Sequence, residues 1–428
     1  MMKKILLVTN SFSPINSPAT NRYLSFAKYL TEFECEVIVV TPLWTQSSRD
    51  FLEEKSGFVT NSSLLISTEP TKYRIERVPF IGREVLGEKI FGKLLAKITF
   101  SYSNYILGTL KSEMFQKVCD ICKNEPIDII ISGGVPQYLS EVSSKASSIY
   151  DIPWIADYRD VIGQTPIQPS SFIGNIRKSL SRSLHVKKNN AVSKSAVARL
   201  TVSEGLAGIL YERNNSPVHI IMNGFDSGDF EPCASDIRED KFTIIYGGTI
   251  YPSQFPEIFI KGLELLLGNE PNIASKITVK FYGQSASYIK KYVSEFKFPT
   301  VLEYPGLVDR KSLLRSINSS DIILFLSTQA KGIATSKVFE SIASQKPILS
   351  IPGDNDITDE LIKNSNAGLI AETPEQVCEC LKGWISEWEL NGTVSSNTDL
   401  KYINQFSRES QAKKLAEVLN DICKTHKN

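Results

Sequence analysis

Eleven short runs along this chain are apolar at nearly every position, and each is followed by turn residues and then a helical pattern. In the first half they are ILLV (5–8), EVIVVTP (36–42), IDIIISGG (127–134), IPWIAD (152–157), RLTVSE (199–204) and VHIIMNG (218–224). In the second half they are FTIIYGG (242–248), ITVKFYG (277–283), VLEYPG (301–306), DIILFLS (321–327) and PILSIPG (347–353). A strand with one wet face alternates apolar and polar residues; runs without alternation suit strands covered on both faces of a parallel sheet. Helical segments such as NRYLSFAKYLTEF (21–33) and FPEIFIKGLELLLG (255–268) separate the runs. This β-α-β alternation predicts an α/β protein with doubly wound sheets. One sheet of eleven strands is strained, so two sheets of five or six, one per half, are expected.

The polar stretch 226–240 carries six acidic residues among fifteen and has a strand on either side, which marks it as the linker. The expected layout is a first domain over 1–225, the linker, a second domain over 241–405, and an amphipathic helix over 406–428. Ala412, Leu415, Val418, Leu419 and Ile422 form one stripe of that helix, which is expected to pack back across the domains. Open parallel sheets bind ligands beyond the carboxyl ends of their strands. Two Rossmann-like domains facing a central cleft would therefore hold their ligands in that cleft.

Bulk properties remove several classes. The formal net charge of +1 argues against binding polyanions by overall charge. Seven cysteines, an odd number in no regular framework, point to a reducing, cytoplasmic compartment. The apolar run Ile5–Val8 is too short for a secretory signal, and no stretch is long enough to span a membrane. No G-x-G-x-x-G follows the first strand, against a dinucleotide dehydrogenase. The three histidines have no ligand spacing, and no metal is expected. Cys119 and Cys122 have CxxC spacing in a helical setting without a second pair, and His219 lies within an apolar run. All three read as packing. Residues 161–203 contain Arg177, Lys178, Arg182, Lys187, Lys188, Lys194 and Arg199 and no acidic residue. Residues 80–117 interleave apolar groups with Arg83, Lys89, Lys93 and Lys97. The segments 80–117 and 170–199 suit either a solvated basic face or peripheral contact with an anionic membrane. No nucleic-acid-reading module accompanies them.

The stretch GIATSKVFESIASQKPIL (332–349) carries the most specific chemistry. Thr335 or Ser336 can cap a helix running to about Ser344. Unbonded N–H groups and the dipole at a helix start make an anion seat. Gly332 admits close approach to the backbone, and Lys337 adds a mobile positive charge suited to a diphosphate. Glu340 follows Ser336 by four residues on the same face, leaning toward the seat. A carboxylate beside a bound phosphate needs hydrogen-bond donors, and sugar hydroxyls supply them. The same residues also fit an ordinary surface helix with a polar start.

With these residues the chain resembles glycosyltransferases of the GT-B fold, specifically family 4, the group 1 glycosyltransferases. The pattern there is a Gly-rich lead, Ser/Thr-Lys, Phe-Glu, a short helix, then Gly-Lys-Pro and a strand; here it reads GIATSKVFESIASQKPILSI. ILLVTNSFSPINSPATNRYLSFAKYL and CEVIVVTP resemble the first strand, acceptor loop, Arg-bearing helix and second strand. IPWIADYRDVIG resembles the family's Trp-(Val/Ile)-Ala-Asp-x-Arg-Asp segment. LTVSEGLAGIL, IMNGFDSGDFEP, YGGTIYPSQFPE and GLVDRKSLLRSINSSDIILFLS follow in the family's order. The likeness spans about residues 3–390.

The resemblance implies a retaining transfer of a sugar from a nucleoside-diphosphate sugar, UDP favoured, to a saccharide or lipid-linked saccharide in bacterial surface glycan biosynthesis. By the family pattern Glu340 holds the ribose, while Gly332, Thr335, Ser336 and Lys337 hold the diphosphate. Gly248 and Thr249 approach the phosphates from the other side, and the base lies against Tyr282, Gly283, Leu307 and Val308. Asn16, Ser17, Asn21, Arg22 and Arg159 face the acceptor, with Asp157 and Asp160 as orienting or base candidates. An internal ion pair with Arg159 is the plain alternative for those two carboxylates. Lys337 and Glu340 complete the expected catalytic set, with no cofactor beyond the co-substrate. The chain departs from the pattern in three places. Gly332 stands where many members carry a first Glu. Thr249 and Gln254 stand where many carry an Arg and a Lys. The acceptor loop reads INSPAT in place of two glycines. Two competing readings remain: a GT-B nucleotide-sugar epimerase, and a catalytically silent GT-B protein that binds a nucleotide or partner.

Overall fold

The computed structural model describes residues 2–13, 15, 17–44, 72–79, 102–161, 172–230, 240–250, 254–283, 289, 293, 296–328, 332 and 334–427. The side chains of 102–109, 172–178, 181 and 427 are outside the description. The chain forms two compact units: Met1–Met222 together with Arg408–Asn428, and Asn223–Ser407.

The first unit holds a seven-stranded sheet in the order β3-β2-β1-β4-β5-β6-β7. Its strands are β1 (Lys3–Val8), β2 (Cys35–Leu43), β3 (Arg74–Pro79), β4 (Ile129–Gly133), β5 (Trp154–Tyr158), β6 (Ala198–Thr201) and β7 (Val218–Ile220). Its helices are α1 (Pro18–Leu30), α2 (Tyr102–Asn124), α3 (Tyr138–Tyr150), α4 (Phe172–Ser193) and α5 (Glu204–Arg213). The second unit holds a six-stranded sheet, β10-β9-β8-β11-β12-β13. Its strands are β8 (Phe242–Gly247), β9 (Ile277–Tyr282), β10 (Leu302–Gly306), β11 (Ile322–Leu326), β12 (Ile348–Ile351) and β13 (Gly368–Ile370). Its helices are α6 (Pro256–Asn269), α7 (Arg310–Ser319), α8 (Ser336–Ala343), α9 (Ile357–Asn364), α10 (Pro374–Asn391) and α11 (Leu400–Asn404). Helix α12 (Arg408–Lys427) returns to the first unit. Every strand pair is parallel.

The unalternating runs become strands for the reason that made them legible. On β1, Ile5 and Leu7 face a core with Phe26, Leu30, Leu415 and Leu419. Leu6 and Val8 face a second core with Met114, Val118 and Trp154 on the opposite side. Water reaches neither face between Ile5 and Val8, so those four positions are all apolar.

The sheets have seven and six strands where five or six were expected. The two additional strands are edges. β3 reads RIERVP and leaves most of its side chains partly or fully exposed, and β13 is three residues long. An edge strand has a single neighbour and tolerates charge, so β3 lacks the apolar signature, while β13 is apolar but too short to show one. Helix α1 begins at Pro18, ahead of the expected Asn21. Ser17 Oγ accepts from the Thr20 N–H at 3.1 Å, and proline suits the first helical turn. On α12, Leu415 and Leu419 are buried against the Ile5/Leu7 face of the first sheet.

Each sheet reverses its strand order beside its first strand: β1 lies between β2 and β4, and β8 lies between β9 and β11. Loops from opposite directions meet beyond the carboxyl ends at such points, and there a doubly wound sheet offers a crevice.

Candidate functional site

In the second unit the reversal point is occupied by the residues singled out from sequence. Thr335 is the N-cap of α8, with extended backbone (φ −74°, ψ 155°) and no side-chain hydrogen bond to the helix. The expected hydroxyl cap is therefore not made. Lys337, on the first turn, reaches across to the loop after β8. Its Nζ lies 3.4 Å from the Thr249 carbonyl and 5.3 Å from the centre of the Tyr246 ring. Burial pushes the Lys337 ammonium down to about 8, and nearby Glu340 opposes that shift.

Glycine is required in that loop. Gly248 has φ +130°, and a Cβ there would lie 2.2 Å from Lys337 Nζ. A Cβ on Gly283 would lie 2.6 Å from the Gly248 carbonyl oxygen. The Gly248 N–H donates to Tyr282 O at 3.2 Å, and the Gly283 N–H donates to Gly306 O at 2.8 Å. The ends of β8, β9 and β10 thus form a bare backbone edge with Lys337 beside it. Tyr282 turns its hydroxyl to Ser316 Oγ at 2.9 Å, while Leu307 is exposed and Val308 half-buried on the same edge.

Glu340, one turn beyond Lys337, accepts from Arg310 Nη2 at 3.0 Å. The same nitrogen donates to Asp229 Oδ2 at 2.5 Å. Burial pulls the Arg310 guanidinium down, but Glu340 and Asp229 together outweigh it and hold the charge above its ordinary range. Sequence reasoning missed Arg310 and Asp229. Asp309 gives a legible helix start, capping the Ser312 N–H at 2.9 Å, but nothing local shows that the next residue reaches a carboxylate thirty positions away.

Two departures from the family pattern acquire local reasons. Gly332 has φ +74°, a conformation a glutamate adopts only under strain. A carboxylate still serves that backbone, because Asp356 accepts from the Gly332 N–H. Gln254 is buried and donates its amide to Leu326 O at the end of β11, a structural bond in place of a mobile charge.

In the first unit two of the expected site residues pair with each other. Arg22 and Asp157 are 2% and 1% exposed. Arg22 Nε donates to Asp157 Oδ2 at 2.9 Å and Nη2 to Oδ1 at 2.7 Å, while Nη1 donates to Ile221 O at 2.6 Å. Each Asp157 carboxylate oxygen thus accepts a bond from Arg22, and the buried pair ties α1 to the end of β5. Arg159 pairs with Asp160, Nε to Oδ2 at 2.8 Å, and not with Asp157. Both remain partly exposed. Ser17 is the α1 cap already described, Asn21 is half-buried on that helix, and Asn16 lies outside the described residues.

A groove of about 810 Å³ runs along β7 in the same unit, lined in part by Tyr211, His219, Glu417 and Asp421. Its volume suits a ligand, but none of the residues expected to bind a donor or acceptor lines it. The carboxyl edge of the second sheet therefore has the better claim to the chemistry. His219 is half-buried, and burial lowers it. Cys122 is pushed up to about 12 by burial, so its thiol is inert at neutral pH.

The basic segments are only partly described. Arg83, Lys89, Lys93 and Lys97 lie outside the described residues, as do the side chains of Arg177 and Lys178 and linker positions 231–239. Arg199 is a correction to the basic face: it is buried and donates to the carbonyls of Leu210, Asn214 and Ser216 at the end of α5. Lys188 pairs with Glu141 at 2.7 Å. On α4, Leu180 and Leu184 are 61% and 67% exposed one turn apart, with Lys187 nearby. Among the described residues no helix is long and apolar enough to cross a membrane.

No protein-family profile matches the chain, and no curated protein matches it. Solved structures do. HepE of Anabaena, in complex with UDP and glucose, matches with a TM-score of 0.62 over 98% of this chain and 100% of its own, at 14% identity. Sucrose-phosphate synthase from Thermosynechococcus elongatus matches with a TM-score of 0.62 over 98% and 99%, at 12% identity. The fold is GT-B. WaaG, a glycosyltransferase involved in lipopolysaccharide biosynthesis, shares this GT-B fold with a TM-score of 0.54 over 97% and 99%, at 12% identity. At these identities the likeness concerns architecture, and the chemistry of this GT-B chain rests on its own residues.

Proposed function

We propose that this GT-B chain is a retaining glycosyltransferase. In this reading it moves a hexosyl group from a nucleoside-diphosphate sugar to a saccharide or lipid-linked saccharide during assembly of a bacterial surface glycan. The observation that carries the reading is the meeting of Lys337 with the glycine edge at Gly248, beside the start of α8 and one turn from Glu340. Helix N–H groups and an ammonium facing bare backbone favour a diphosphate, and a carboxylate beyond them favours a ribose diol. HepE was crystallised with UDP, which supports uridine as the base.

Each group then has a role. Lys337 and the N–H groups at Thr335–Lys337 stabilise the charge that develops on the leaving diphosphate, which is preorganised electrostatics. Gly248 and Gly283 let the ligand lie against the strand ends. The acceptor hydroxyl attacks from the face the leaving group departs from, and its proton passes to a phosphate oxygen or to a carboxylate. Asp160 is the accessible carboxylate of the first-unit pair, and Asp157 keeps Arg22 in place. The exposed Leu180/Leu184 turn with Lys187 supports peripheral contact with an anionic membrane, where a lipid-linked acceptor would reside.

The deciding experiment measures release of nucleoside diphosphate from a panel of nucleotide sugars, with thermal stabilisation by UDP, GDP and ADP read in parallel. Turnover that is lost in Lys337→Ala and Glu340→Ala supports the transferase. Absence of stabilisation by every nucleoside diphosphate at millimolar concentration would leave a catalytically silent protein.

A further inference from the structure

The position of Arg310 extends the proposed nucleotide-sugar reading, on which this inference rests. Its guanidinium joins three separate pieces of the second unit. They are the 3-10 turn Ser227–Phe230 through Asp229, the first residue of α7, and the second turn of α8 through Glu340. All three side chains are partly buried. Such a bridge exceeds a casual surface pair, because one nitrogen serves two carboxylates and arginine retains its charge at any working pH.

The neighbour of Glu340 shows what the bridge does. Lys337 precedes Glu340 by three residues, a spacing at which opposite charges on a helix meet. An ordinary helix would let the two close on each other. Here the carboxylate is drawn to Arg310 at 3.0 Å, and the ammonium turns to the Thr249 carbonyl and the Tyr246 ring. The cation suited to a diphosphate and the anion suited to a diol are thereby kept apart on adjacent turns. A carboxylate has about four lone-pair directions, so a bond from Arg310 is compatible with two more from a ribose.

We infer that Arg310 is a positioning residue that holds Glu340 away from Lys337, so that the two do not pair with each other in place of the ribose and the diphosphate of the donor. Asp229 anchors the guanidinium from the segment that enters the second unit. Removing the guanidinium lets Lys337 and Glu340 pair, and both ligand contacts weaken together although neither residue has changed.

The test compares affinities of the full chain for UDP and 2′-deoxy-UDP by calorimetry, with other ribo- and deoxyribonucleoside diphosphate pairs in parallel. Variants are Arg310→Ala, Arg310→Gln, Arg310→Lys and Glu340→Gln. A hydrogen bond to a charged group corresponds to about ten- to a hundredfold in affinity, so wild type is expected to prefer the ribonucleotide by about that factor. Arg310→Ala and Arg310→Gln are expected to bring the preference close to one, as Glu340→Gln does, and to weaken the ribonucleotide at least about tenfold. Arg310→Lys, which keeps a cation, is expected to restore part of the preference. Glutamine nearly preserves the side-chain length, so it keeps the question open to an answer if the alanine variant fails to fold. A wild-type preference that survives unchanged in folded Arg310 variants overturns the inference and leaves the nucleotide site standing. Failure of wild type to bind any nucleoside diphosphate overturns the nucleotide-sugar reading, and this inference with it.

Discussion

Lys337→Met separates function from stability at a single side chain. In the folded chain burial lowers the Lys337 ammonium from 10.5 to about 8, a displacement equivalent to about 3 kcal/mol. The side chain is partly exposed, so solvent screening trims this to about 1–3 kcal/mol. The sign follows from proton counts. Below pH 8 the lysine is charged in both folded and unfolded chains, and the folded chain bears the full cost. Between 8 and 10.5 the unfolded chain holds the proton and the folded chain releases it, so stability rises with pH. Methionine has a similar shape and no charge. Lys337→Met is therefore expected to be more stable than wild type by about 1–3 kcal/mol at pH 7, with the gap closing above pH 10. Nucleoside-diphosphate affinity is expected to fall at least about tenfold with the loss of a charge-assisted bond. Urea unfolding of both chains at pH 7, 8, 9 and 10 reads the gap, and calorimetry reads the affinity. A variant less stable than wild type at pH 7, or a gap that ignores pH, would refute the reasoning.

Three further outcomes follow from the geometry. Gly248→Ala places a methyl group against Lys337 Nζ and is expected to weaken nucleoside-diphosphate binding about tenfold or more, with a smaller effect when Lys337 is already Ala. Asp157→Ala leaves Arg22 charged and unpaired inside the first unit and is expected to cost about 3–5 kcal/mol, seen as a melting point lower by about 10 °C. Lost turnover with unchanged stability would instead make Asp157 a group that meets substrate. Leu180→Ser with Leu184→Ser is expected to reduce co-sedimentation with vesicles containing phosphatidylglycerol while leaving soluble-donor hydrolysis intact; equal sedimentation would remove α4 as the membrane contact.

The chain's legibility followed burial. Ile5–Val8 or Ile322–Leu326 can be read because both faces are dry and every residue shows it. Arg74–Pro79 escaped because an edge strand has room for Arg74 and Glu76, which pair with each other, and for Arg77, which donates to the Ser13 carbonyl. The grouping at the start of α8 was also legible, since the helix start, the lysine and the glutamate lie within six residues. Gly248 could be matched to it through the family pattern. Contacts set by tertiary structure were not. Arg22 and Asp157 are 135 residues apart, and each by itself looked like a surface group available to a ligand. Arg199 looked like part of a basic face until its strand carried it under the end of α5. Arg310 was passed over for the same reason. A charged residue that acts by holding another charge leaves no local spacing to read.

The return of α12 to the first unit sets an order of events during synthesis. The Ile5/Leu7 face of β1 is covered by Leu415 and Leu419, and Lys3 bonds Asn420. At the ribosome these partners are separated by more than four hundred positions, a delay of about 20–80 s at ordinary elongation rates of about 5–20 residues per second. The second unit, Asn223–Ser407, is one uninterrupted stretch made within that interval. Its sheet can close while the first strand of the chain, backed on that face by Phe26 and Leu30, still waits for the rest of its cover. The unit begun first is therefore the one finished last, with part of a dry face beside β1 open to chaperones, or to another nascent chain, until α12 leaves the exit tunnel.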